Sequence, residues 1–200
     1  MRSARGLPLL VGLEVDFLPG AMESMANVLD DYPFDVLLGS VHWLDAWLFD
    51  AYGDPVFAQP WQDRDINHIY RDDIDAVAEL SDCGLVDVLA HVDVIKVAGH
   101  RPVDVDDFEH QMAAVIINAG LAVEISSAGL RKHAAEHYPS AGLLGRVVSA
   151  GADLTTASDA HSVEQIGSDF DELRAALRGL GVTELVTFTR RQRVTVPVSP

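Results

Sequence analysis

Residues 106–126 read DDFEHQMAAVIINAGLAVEIS. Phe108, Met112, Val115 and Ile116 fall at helical spacing, and Gly120 follows Ala119 as a natural helix stop. From Gly120 to Ser126 the same chain reads as a strand. A helix that runs directly into a strand is a repeating unit of an α/β domain, and the pattern recurs on both sides. Leu9–Val15, Asp35–Val41, Val86–His91 and Ala152–Ala157 also read as strands. Asp65–Ser81 is predicted helical, with Ile66, Tyr70, Ile74 and Val77 on one face. So are Ser140–Ala150, closed by Gly151, and Asp169–Arg178. The tail ELVTFTRRQRVTVPV reads as a short strand and an extended, partly basic end. Strands separated by helices imply a parallel sheet with crossover connections, either barrel or open.

The 200 residues are 48% hydrophobic, enough for one domain with a sizeable core. They contain no linker, low-complexity tract or internal repeat. No apolar run approaches the roughly 18 residues of a membrane span, and the N-terminus makes a poor signal peptide. Cys83 is the single cysteine, which excludes an internal disulfide and fits a reducing cytoplasm. A net charge of −17 argues against nucleic acid or an anionic membrane as partner. It leaves room for a phosphate where metals or a few arginines reverse the field, and it favours a cationic group on a substrate.

In α/β barrels the residues that do chemistry sit at the C-terminal ends of strands. Here those ends carry Glu14 with Asp16, His42 with Asp45, His91 with Asp93, Glu124 followed by Arg131, and Asp159 with His161. Each has a structural reading on its own. Ser162 and Gln165 form a capping-box pattern that would simply start a helix beside Asp159 and His161, and Asp45, Asp93 and Glu124 each read as structural. Taken together, Glu14, His42, His91, Asp159 and His161 put two carboxylates and three imidazoles on one rim, a donor set suited to zinc, manganese or iron. His68 and His110 fall on helix faces and read as solvated. His100, His133 and His137 read as loop residues.

GLEVDFLPG, LLGSVHWLDAWLFD, LAHVDVIKVAGHRP, EISSAGLRKHAAEHYPS and ASDAHSVEQIGSDFDE resemble, in order, blocks of the histidinol-phosphate phosphatases of the PHP family. The resemblance implies a distorted (β/α)7, TIM-like barrel and hydrolysis of L-histidinol phosphate in histidine biosynthesis, with two or three divalent ions (zinc, manganese or iron). It makes Glu14 a bridging carboxylate, with His42 and His91 completing one metal site. Asp159 would serve a second metal and His161 a third. Arg131 becomes the phosphate-contacting arginine, assisted by Arg101, and Asp45 and Asp93 become candidates for the substrate amine. The family's partner is a small phosphate ester rather than nucleic acid or membrane.

The chain departs from the family in one respect. Family members open with a His-x-His strand end, whereas no histidine precedes His42 here and His-x-His occurs nowhere. Residues 1–200 are therefore expected to form a single PHP domain, truncated at its N-terminus by roughly two βα units. Two exposed sheet edges would favour homo-oligomers. Three functional readings follow: a histidinol-phosphatase, a phosphatase for another small ester, or a metal-binding remnant without turnover.

Overall fold

The computed structural model describes residues 2–4 and 7–198. Five strands lie side by side in chain order: β1 (Gly12–Asp16), β2 (Val36–Ser40), β3 (Val88–Leu89), β4 (Ala122–Ser126) and β5 (Leu154–Ala157). Every neighbouring pair is parallel. The connections carry α1 (Met22–Leu29), α2 (Ile66–Asp82), α3 (Val105–Ala119) and α4 (Ala141–Ser149), and α5 (Phe170–Gly179) follows β5. Among the described residues the sheet is open, with β1 and β5 as its edges. The observed class is thus α/β with a central parallel sheet, a coarser description than the barrel expected.

Register assigns the two faces. Glu14 lies opposite Leu38, Leu38 opposite Val88, and Val88 opposite Ala122. This face packs on Val186 and Phe188 of a C-terminal hairpin, Glu184–Thr189 with Gln192–Pro197. The opposite face presents Leu37, Leu89, Val123, Ile125 and Leu154 to the helices. There they meet Ile69 and Val77 of α2, Met112 and Ile116 of α3, and Leu143 of α4. An all-parallel sheet is stable only when such layers cover it.

The helix boundaries have local causes. Asp65 accepts from the His68 amide at 2.9 Å, and Asp104 from that of Asp107 at 3.0 Å. Ser140 does the same for Leu143 at 3.3 Å. Each thereby satisfies a first-turn N–H that has no partner inside its helix. Gly120 closes α3 at φ 63°, where a Cβ would be strained. Two features differ from expectation. α1 occupies a segment for which the sequence reading gives no helix. The tail is a paired antiparallel hairpin whose turn residues, Arg190 and Arg191, both have positive φ (50° and 63°).

Candidate metal centre

The parallel register sets Asp16, the last residue of β1, beside Ser40, the last of β2. His42 lies two residues beyond that pair, and His91 two beyond the end of β3. Strand ends thus bring three sequence-predicted ligands together. His91 Nε2 is 3.3 Å and His42 Nε2 3.7 Å from the same atom, Glu14 Oε1. Among the described residues, Glu14, His42 and His91 are the one group whose ligand atoms all lie within 4.8 Å of one another. One carboxylate oxygen and two imidazole nitrogens suit a borderline divalent ion.

Electrostatics fit the same use. Burial works to raise the Glu14 carboxyl, but the His91 hydrogen bond and the charges of both histidines outweigh it and hold Glu14 at about 2. Burial likewise opposes charge on His91, yet Glu14 leads a set of carboxylates that lifts it to about 9. The cluster demands positive charge, and without a metal a proton on His91 supplies it. His91 also has φ 25°, a sparsely populated backbone that persists only where its surroundings impose it.

Asp16 has a part that strand-end reasoning left unassigned. His42 Nδ1 lies 2.6 Å from Asp16 Oδ1, which also accepts from Ser40 Oγ at 3.1 Å. The His42 bond lowers the Asp16 carboxyl. A carboxylate on Nδ1 fixes the tautomer in which Nε2 is free to ligate. Glu124, read as structural, is buried on β4 at 3% exposure, and its Oε1 has no hydrogen-bond partner among the described residues. Burial raises it to about 7, with His91, Glu14 and Asp159 as its charged neighbours. The available signal was a carboxylate inside an otherwise apolar strand.

Other expected residues lie outside the cluster. Asp159 sits at φ 47°, near enough to act on the charge of His91 and Glu124 but beyond the three-residue group. His161 is 79% exposed and turns Nδ1 toward the Asp159 carbonyl at 3.1 Å. Its amide donates to Gln165 Oε1 at 2.8 Å, while Ser162 makes no side-chain cap, so the capping-box pattern is only half realised. Arg131 donates to the carbonyls of Ser127 and Ser158 and pairs with Asp169 at 3.3 Å, fastening the loop that carries Asp159. Arg101 pairs with Glu136 at 2.7 Å and donates to the carbonyls of Lys96, His100 and Ala134. Asp93 is fully buried, bound to Lys96 at 2.7 Å and to the Ser140 amide at 2.8 Å, which takes it away from a substrate amine. Asp45 is exposed at the turn of the Trp43–Leu44 and Trp47–Leu48 hairpin.

No family model matches the chain. A Deinococcus radiodurans protein described as a "Probable histidinol-phosphatase" is 34% identical over 186 residues, covering 93% of this chain and 70% of that protein. This chain belongs to the histidinol-phosphatase family. The crystal structure of histidinol phosphate phosphatase from Lactococcus lactis, complexed with zinc, L-histidinol and phosphate, matches with a TM-score of 0.66 at 16% identity, over 95% of this chain and 73% of that one. A solved structure from Listeria monocytogenes matches equally well in fold, with a TM-score of 0.66 at 18% identity, covering 84% of this chain and 69% of that one. Both likenesses place the five-stranded sheet within the fold of this family. No helix among the described residues is long and apolar enough to cross a membrane.

Proposed function

We propose that this histidinol-phosphatase family member hydrolyses L-histidinol phosphate to L-histidinol and phosphate, with a divalent cation held by Glu14, His42 and His91. The observation that carries the proposal is the convergence of two imidazole Nε2 atoms on one carboxylate oxygen, 3.3 and 3.7 Å away. The 34% identical relative and the zinc, histidinol and phosphate bound in the Lactococcus lactis protein support it. A bound cation contributes Lewis acidity and brings the pKa of a water to about 7. Glu14 supplies negative charge against that cation, and Asp16 keeps His42 in the ligating tautomer. Asp159, at the edge of the cluster, supplies a carboxylate toward a second cation. Arg131, which donates to the Ser158 carbonyl next to Asp159, offers its planar guanidinium to the phosphate. The acidic surface receives the cationic end of the substrate.

One observation favours a second reading: His161 is 79% exposed and lies outside the Glu14, His42 and His91 group. That arrangement suits a chain that binds metal without turnover. Phosphate release from L-histidinol phosphate by the purified chain, with added zinc or manganese, separates the two. Metal-dependent release that disappears in Glu14→Gln supports hydrolysis. Metal binding with no release supports the second reading, and release of phosphate only from other small esters would reassign the substrate.

A further inference from the structure

The two histidines of the centre face Glu14 alike through Nε2, but their other nitrogens differ. His42 Nδ1 is held by Asp16 at 2.6 Å. His91, 3% exposed, has an Nδ1 with no hydrogen-bond partner among the described residues. Buried ring nitrogens are rarely left so, and metal-ligating histidines almost always engage a carboxylate, carbonyl or water on the far side of the ring.

A second buried group without a partner among the described residues lines the same small cavity as His91. Asp73 lies in the middle of α2, on the stripe of Ile69, Tyr70, Ile74 and Val77 that packs into the core. It is 1% exposed, and neither carboxylate oxygen has a hydrogen-bond partner among the described residues. A carboxylate is among the most costly groups to bury unpaired, and it caps no helix end. Asp73 and His91 line the same small cavity, of about 10 Å³, between the sheet and α2. Every other residue of that lining is glycine, alanine, valine or leucine, so these are its two polar side chains. The volume matches the roughly 10–15 Å³ that one water requires. Burial, with Asp93 adding to it, pushes the Asp73 carboxyl well above its ordinary value, and the charge of His91 offsets this only in part.

We infer that Asp73 is a positioning residue for the candidate metal centre: across this one-water cavity its carboxylate holds the Nδ1 side of His91 and keeps Nε2 aimed at Glu14. The inference deepens the proposed function and rests on its metal site. It makes the centre two-sided, with Asp16 orienting His42 from β1 and Asp73 orienting His91 from α2.

The test is zinc affinity, by competition against a chromophoric chelator, together with His91 ring nitrogen shifts from long-range proton–nitrogen NMR. The variants are Asp73→Leu, Asp73→Asn and His91→Ala. Asp73→Leu is expected to weaken zinc binding about 10- to 100-fold and Asp73→Asn by a smaller factor, the usual range for removing such a carboxylate. The His91 Nδ1 signal should move in both variants, with the His42 signals unchanged. A merely structural Asp73 would alter the melting temperature and leave the ring signal in place. Asp73→Asn is nearly isosteric and carries the test if Asp73→Leu does not fold. Zinc affinity and His91 shifts equal to wild type in the folded Asp73 variants, with affinity lost in His91→Ala, overturn this inference alone. Wild-type affinity in His91→Ala overturns the metal reading and the inference together.

Discussion

Glu14 Oε1 is the atom on which the centre turns, because both imidazole Nε2 atoms face it. Replacing it in Glu14→Gln keeps the shape and removes the charge. Zinc affinity should then fall by about a hundredfold or more, on the order of 3 kcal/mol, as read by chelator competition. Proton linkage makes a second prediction. His91 is lifted from 6.5 to about 9, so zinc must displace its proton at neutral pH. Affinity should rise about tenfold per pH unit up to about 9 and then level off, with close to one proton released per zinc near pH 7.5, checked by calorimetry in buffers of different ionisation enthalpy. Without metal the sign reverses. The raised His91 contributes stability fully below its unfolded value of 6.5, and this is lost as pH rises through about 9. The depressed Glu14 contributes above 4.5 and loses that share as pH falls toward about 2. Glu14, His42 and His91 were legible in the sequence because strand ends project ligands to a common rim. Asp16 was visible there, but its bond to His42 depends on the β1–β2 register. Asp73 and Glu124 were not legible as site residues, since a lone carboxylate in an apolar stripe has no sequence mark separating support of a site from support of a core.

Elements hold these residues in place through a few charged contacts. Arg191 donates from Nε to both Asp87 carboxylate oxygens, at 3.2 and 2.9 Å, while Asp87 accepts from the Leu37 amide at 2.9 Å. The C-terminal hairpin is thereby latched to the base of β2. Arg191→Ala should cost about 1.5–3 kcal/mol, the range for charged hydrogen bonds, seen as a lower denaturation midpoint with zinc affinity retained. Arg131 spans two loops, joining Ser127 to Ser158 and Asp169. A single ammonium cannot reproduce that fork, so Arg131→Lys should lower kcat/KM about tenfold or more, on the order of 1.5–3 kcal/mol. The capped helices were readable from Asp65, Ser140 and Gly120. Met22, Met25, Ala26 and Leu29 stand at i, i+3, i+4 and i+7 and all pack on the core, so α1 carries a helical signal in its sequence. The hairpin was not readable, since its turn places two arginines in left-handed backbone where glycine or asparagine is the usual mark.

At the scale of the whole molecule, five parallel strands in chain order aim their C-terminal ends to one side and leave β1 as an exposed edge. Leu13, Met25 and Val28 line an apolar groove of about 440 Å³ beside it. An edge of this kind favours self-association, so sedimentation velocity should show concentration-dependent oligomers that Leu13→Glu diminishes. The parallel α/β class followed from the helix–strand alternation. Closure did not, because a strand sequence specifies its own faces and not how many neighbours complete a barrel. This sheet gathers Glu14, His42 and His91 into one candidate metal centre. The direct measurement is zinc and manganese per chain, by plasma mass spectrometry after gentle purification, for the intact chain and for Glu14→Gln. About one tightly held ion per intact chain is expected, and close to none in the variant. An intact chain that carries no metal and gains none on reconstitution, or a variant that keeps the full complement, would contradict it.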